Sequence, residues 1–184
     1  PVGTRYEETD TRKIFRRKLA TSNTTVSNST TSLTWRSSPS NSSIIGTKIL
    51  SGNPLIGSKC TSITIALKRG GSTSGNVEIG RVPITTTDGS FATSTTANVS
   101  GIDTSNFVNV TYTYDFGTIA VNDVIGIKFV GSGGSIDVHI SDTTPSMSNQ
   151  EIRYLDSTTW NNNSYFVIGT IGTSLESWVE KGTA

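Results

Sequence analysis

The chain has 184 residues, a formal net charge of +1 and 16% charged residues, and Ser, Thr and 18 glycines dominate its composition. This length fits one domain with a core of its own. A net charge so close to zero provides no field that would attract nucleic acid, and the apolar runs are far too short to cross a bilayer. We therefore expect no nucleic-acid partner and no membrane insertion.

The two ends of the chain look complementary. The N-terminal segment, residues 1–18, is rich in basic side chains, and the C-terminal segment, residues 175–184, contains Glu176 and Glu180. Both fit short strands, and an antiparallel pair would set basic side chains against acidic ones. We predict a terminal β-hairpin that serves as an attachment element. The residues assigned to assembly are Arg12, Ile14, Phe15, Trp178 and Val179.

Between the two ends, the chain divides into a polar linker and a patterned domain. Residues 19–43 are a Ser/Thr/Asn-rich stretch around the apolar island Leu33–Trp35, which we interpret as a linker leading into a first strand. Residues 44–174 contain short apolar alternations separated by turn residues at intervals of about ten residues, which is typical of a sandwich. The sequence therefore predicts an all-β, jelly-roll-like antiparallel β-sandwich.

The strand patterns also predict which side chains face the core. The inward-facing sets are Ile63, Ile65 and Leu67; Val77, Ile79 and Val82; Val108, Val110, Tyr112, Tyr114 and Phe116; and Ile136, Val138 and Ile140. Pro83 marks the end of a strand or an edge, because proline cannot donate to the ladder.

Residues that could carry catalysis are scarce. His139 is the single histidine and Cys60 the single cysteine, so multi-histidine metal sites and most histidine relays are excluded. Alternation places His139 on the strand face opposite Val138 and Ile140, and Cys60 beside a strand is typical of a small buried hydrophobe. No G-x-S-x-G nucleophile elbow occurs. We predict that the chain is not an enzyme.

Aspartates and aromatic residues leave two binding alternatives open. Most aspartates lie at predicted strand ends, where Asp ordinarily bonds to the backbone of turns. Calcium bound by such loop carboxylates is the one cofactor considered, with Asp142 and Asp156 as candidate ligands. A glycan site is the second alternative, because Trp160 falls in a predicted loop and aromatic rings stack on sugars. Its candidate residues are Trp160, Tyr154, Asn161 and Asn162.

The most recognisable residues lie in the terminal segments, at 2–15 (VGTRYEETDTRKIF) and 178–183 (WVEKGT). Together these segments resemble a short signature in structural proteins of tailed phages and archaeal viruses. The interior, through residues 56–59 (IGSK), 63–68 (ITIALK) and 122–128 (NDVIGIK), is similar to jelly-roll modules of viral and archaeal surface proteins. The resemblance implies a jelly-roll insert between the two halves of a terminal hairpin, and a place on a particle surface.

Three functions follow as expectations. The first is a virion structural protein, such as a capsid decoration, turret or fibre component, that forms homo-oligomers or binds other virion proteins. The second is a carbohydrate-binding module for host or environmental glycans. The third is a subunit of an archaeal cell-surface filament or sheath. All three place the protein on the virion surface or outside the cell.

Overall fold

The computed structural model describes residues 5–8, 13–24, 33–37, 44–85, 90–141, 149–156, 159–163, 166–167 and 169–183. Within these residues the chain forms strands and one short 3-10 turn, with no α-helix, so the fold is all-β. The strands are β1 (Arg5–Glu8), β2 (Lys13–Thr24), β3 (Leu33–Ser37), β4 (Ile44–Ile49), β5 (Lys59–Arg69), β6 (Ser74–Pro83), β7 (Thr93–Asn98), β8 (Val108–Thr118), β9 (Asp123–Ser132), β10 (Ile136–Ser141), β11 (Gln150–Asp156), β12 (Thr159–Asn163), β13 (Phe166–Val167) and β14 (Gly169–Thr183).

The strands form two antiparallel sheets that pack face to face. Sheet I contains β1, β2, β3, β5, β8, β10, β13 and β14, and sheet II has the order β12-β11-β4-β9-β6-β7. The chain crosses between the sheets at most of its connections, so each sheet is built from strands far apart in sequence. The β-sandwich predicted from the sequence is confirmed.

The central strands of the two sheets are ordered in a similar way. Sheet I contains the path β3-β10-β5-β8, and sheet II contains β4-β9-β6-β7. Strands early in the series therefore pair with strands late in it in both sheets. β11 and β12 extend sheet II beyond β4.

The core lies between the sheets and follows the predicted alternation. In β5, Ile63, Ile65 and Leu67 are each at most 3% exposed, and Ile136, Val138 and Ile140 of β10 are equally buried. These side chains belong to one apolar cluster that also includes residues of β4, β6 and β9 in sheet II. The alternating pattern in these strands is therefore explained by burial of one face of each sheet.

One predicted core position is wrong. Tyr114 is 46% exposed, because a bulge sets residues 114–116 of β8 opposite the single residue Thr61 of β5. Val82 is buried, as predicted, and it packs in a second apolar cluster with Ile44 and Val124. The residue in step with Val77 and Ile79 is Arg81.

Candidate interaction surfaces

The longest strand joins the sandwich to the two ends of the chain. From Gly169 to Ser174, β14 pairs with β5 in sheet I, and from Ile171 to Thr183 it pairs with β2. The stretch beyond Ser174 is about 30 Å long at about 3.3 Å per residue. β1 pairs with the far side of β2, from Arg5 opposite Arg16 to Glu8 opposite Lys13. We call β1, β2 and the 175–183 part of β14 the terminal ribbon.

The terminal ribbon confirms the predicted pairing of the two ends. Trp178 lies opposite Arg17, Val179 opposite Arg16, Glu180 opposite Phe15, and Gly182 opposite Ile14 after a register shift. The predicted matching of charges is wrong at the directly opposite positions, because Glu176 faces Leu19 and Glu180 faces Phe15. Arg12 lies outside the described residues. β2 runs on to Thr24 and β3 begins at Leu33, both within the segment interpreted as a linker.

The end of the sandwich from which the ribbon leaves is closed by backbone hydrogen bonds between loops. Gly57 N donates to Ile119 O and Ile119 N donates to Ser58 O, each over 2.9 Å, and Asn122 N donates to Ile49 O over 2.8 Å. These bonds tie the β4–β5 loop to the β8–β9 loop. We call these two hydrogen-bonded loops the base of the ribbon, because β14 leaves the sandwich beside them.

A buried ion pair reinforces the same base. Arg81 Nη1 donates to both carboxylate oxygens of Asp123 over 3.2 Å, and its Nε donates to Phe116 O over 3.2 Å. Ala120 N donates to Asp123 Oδ2 over 2.7 Å. Because Arg81 belongs to sheet II and Phe116 to sheet I, this clasp links the two sheets. The one sequence signal for this ion pair is the position of Asp123 next to a predicted strand.

The predicted glycan residues lie in the paired strands β11 and β12. Trp160 lies in β12, not in the predicted loop, and sits opposite Leu155, whereas Tyr154 sits opposite Asn161. Trp160 is half-buried and packs on the second cluster, Ile44, Val82 and Val124. The side chains of Tyr154 and Asn162 lie outside the described residues.

Metal-ligand candidates are not brought together in the part of the chain that the structure describes. Asp142 lies outside it, and only the backbone of Asp156 is described, opposite Thr159 at the end of β11. Among the described residues, no group of three or more His, Cys, Asp or Glu side chains could hold a metal ion. The turn interpretation holds for Asp103, whose Oδ1 accepts from Ser105 N and Asn106 N.

Cys60 and His139 lie on opposite faces of sheet I. Cys60 is fully buried in the main cluster, as predicted, and burial raises the pKa of its thiol to about 12. His139 faces away from this cluster, since its neighbours Val138 and Ile140 point into it. The two side chains therefore cannot act as a nucleophile pair.

An aromatic cluster covers the outer face of sheet I near His139. The imidazole stacks on the Phe107 ring with centroids 4.4 Å apart and an angle of 14°, and Lys68 Nζ lies 5.1 Å from the centroid of that ring. Lys68 also pairs with the buried Asp137 over 3.7 Å. His139 Nε2 is buried without a hydrogen-bond partner in the described structure. Sequence reasoning missed this cluster because Phe107 comes from a loop.

This cluster predicts a pH dependence of stability. Burial lowers the pKa of His139 below its ordinary value of 6.5, so the unfolded chain takes up the proton at a higher pH than the native one. The stability that depends on neutral His139 is fully present above about pH 6.5. It is lost as the pH falls from there through the pKa of His139 in the native state. The melting temperature of the wild type should fall relative to that of His139→Phe as the pH drops from about 7.5 to about 5. Parallel pH profiles in thermal melts would contradict this.

A crevice between the sheets is too small for a ligand. It is lined by residues of β4, β5, β9 and β14, including Thr47, Ile63, Ile125 and Thr170, and its volume is about 20 Å³. That is room for one water molecule.

Two findings bear on identity. Among the described residues, no helix is long and apolar enough to span a membrane. Comparison with family models, curated proteins and solved structures finds no match to this chain.

Proposed function

We propose that this chain is a non-enzymatic structural protein of a virion surface, a decoration, turret or fibre component, that self-associates and displays its β-sandwich on the terminal ribbon. The observation that carries the proposal is the continuity of β14, which pairs with β5 in the sandwich and with β2 in the ribbon. Within β14, the two parts are joined without an intervening loop. The sandwich is therefore presented in a fixed direction.

The ribbon offers two strand edges for assembly. Among the described strands, none pairs with the outer side of β1 or with the outer side of β14 beyond Ser174. An unpaired edge presents a row of N–H and C=O groups that another strand can complete. These edges support pairing with a second copy or with another virion protein. The resemblance of the terminal segments to virion structural proteins supports the location.

Weakening the ribbon should therefore reduce self-association without unfolding the sandwich. We expect the double variant Trp178→Ala, Val179→Ala to lower the association constant at least about tenfold, since large side chains of this kind often dominate interfaces. Sedimentation velocity over a concentration series measures this, with Thr111→Ala, Thr113→Ala on the exposed face of β8 as the control. The melting temperature should change by about 3 °C or less.

Two results would overturn the proposal. One is a wild-type protein that stays monomeric at every concentration and binds no capsid lattice. The other is an association constant that is unchanged in the ribbon variant. Electron microscopy distinguishes a closed particle decoration from the open filament of a cellular sheath, because head-to-tail contacts that do not close give fibres.

A further inference from the structure

The sequence and pairing of β7, the edge strand of sheet II, contain none of the devices that usually prevent an edge from pairing with another chain. Its sequence is Thr-Ser-Thr-Thr-Ala-Asn, without charge, proline or glycine. It pairs with β6 over all six residues, from Thr93 opposite Arg81 to Asn98 opposite Asn76, without a bulge. Natural sheets usually guard such an edge with charged side chains, proline, bulges or a very short strand. β7 is of ordinary length and is guarded by none of these.

The other sheet edges differ, and the edge strand β13 has only two residues. β8 carries the bulge at 114–116 and the exposed ion pair of Asp115 with Lys59. β3 includes Arg36, and most residues of β1 are charged. β12 is uncharged, but it consists largely of asparagine, which is unfavourable in strands, whereas threonine favours them. β7 therefore combines neutrality with the highest strand propensity among these edges.

Local hydrogen bonds tie β7 to its surroundings. Asn98 Oδ1 accepts from Ser100 N over 2.8 Å, which ends the strand in a short 3-10 turn. Ser94 Oγ donates to Glu78 Oε1 over 2.7 Å, which links β7 to the neighbouring strand β6 through their side chains. Thr96 and Asn98 are exposed, and the remaining side chains are half-buried. The edge is thus ordered before any partner arrives, and ordering it costs little on binding.

We infer that β7 is a second self-association surface, where β7 of one copy pairs antiparallel with β7 of another about a two-fold axis. A neutral strand can face itself without repulsion, whereas a charged partner strand would find no complementary charge on it. Two-fold pairing also needs no other surface on the molecule. It joins sheet II of two copies into one continuous sheet, and it does not depend on the terminal ribbon.

The two-fold axis restricts the register. Directly opposite residues share a face, so a pair centred on β7 sets either Thr95 or Thr96 opposite its own counterpart. Cysteines at directly opposite positions in an antiparallel pair come within disulfide range. Cys60 does not interfere, because it is fully buried.

Disulfide trapping tests the inference. Thr95→Cys and Thr96→Cys are oxidised separately at matched concentrations, with Thr104→Cys in an exposed loop as the control. We expect one of the two β7 variants to form covalent dimers at least about tenfold faster than the control. Neither variant exceeding the control would overturn the inference. The same trapping in the Trp178→Ala, Val179→Ala background should be unaffected, so failure of the ribbon proposal is told apart from failure of this one.

A charge pair at the same position provides a second measurement. Thr96→Lys alone and Thr96→Glu alone should each associate less than the wild type through this edge, because like charges meet across the axis. An equimolar mixture of the two variants should associate about tenfold more tightly than either alone. A mixture that associates no better than its components would contradict the two-fold pairing even if the cysteine variants fail to fold.

Discussion

Asp123→Ala is expected to lower the free energy of unfolding by about 3–5 kcal/mol, because it removes one partner of a buried ion pair. Asp123 is 2% exposed, and its carboxylate accepts both Nη1 bonds of Arg81 and the bond from Ala120 N. Without it, the Arg81 guanidinium stays largely enclosed and unpaired. For a chain of this size the melting temperature should fall by about 10 °C, measured by thermal or urea unfolding.

The chain contains a matched control for this change. Lys59 and Asp115 form a shorter ion pair, at 2.7 Å, but the Asp115 side chain is 61% exposed. Asp115→Ala should leave the melting temperature within about 2 °C, because solvent-exposed pairs contribute little. The double variant Arg81→Met, Asp123→Leu should recover much of the loss, since it leaves no unpaired charge. Equal effects of Asp115→Ala and Asp123→Ala would contradict the role of burial.

The sequence predicts most of the sandwich because one face of each strand is buried. A period of two in β5 and β10 identifies Ile63, Ile65, Val138 and their neighbours, and the structure buries them all. The pattern fails where the backbone departs from regular pairing. The bulge in β8 turns Tyr114 outward although it is in step with Tyr112, and no side-chain pattern reveals a bulge.

The same distinction applies to the predicted sites: local patterns reveal paired strands, but they do not reveal contacts between distant side chains. Pairing of the chain ends follows from two strand-like segments with apolar residues, and it is confirmed at the level of the backbone. The glycan residues stay a prediction, and the strand register adds only that Trp160 lies opposite Leu155 and Tyr154 opposite Asn161. The Arg81–Asp123 clasp joins residues 42 positions apart. Neither residue type nor local spacing identifies such a partner.

The second apolar cluster was also missed, and glycines explain how it forms. Gly46 lies opposite Gly126, and Gly126 lies opposite Gly80, in a row across β4, β9 and β6. A Cβ on Gly126 would lie 3.1 Å from Cγ2 of Ile44, so the missing side chain leaves room for that isoleucine. The row thus allows Ile44, Val82 and Val124 to be completely buried on the face of sheet II turned away from the main core. Glycine within a strand pattern is the sequence signal for such close approach.

A side chain at Gly46 should therefore be costly. A Cβ there would lie 2.6 Å from Gly126 Cα and would also clash with Ile125 O, and both atoms are backbone in the neighbouring strand. Since neither can move without displacing β9, Gly46→Ala should lower the free energy of unfolding by about 1–3 kcal/mol, and Gly46→Val by about 3 kcal/mol or more. Urea unfolding measures both changes.

Gly71 provides the matched control, because a Cβ there meets nothing within 4 Å. Gly71→Ala should leave stability unchanged or raise it by about 0.4–1 kcal/mol, since alanine restricts the unfolded chain more than glycine does. If Gly46→Ala behaved like Gly71→Ala, close approach of β4 and β9 would not be the reason for glycine. A loss of stability in Gly46→Ala but not in Gly71→Ala would instead support the role of the glycine row. In that role, the small residues let sheet II bury side chains on both of its faces.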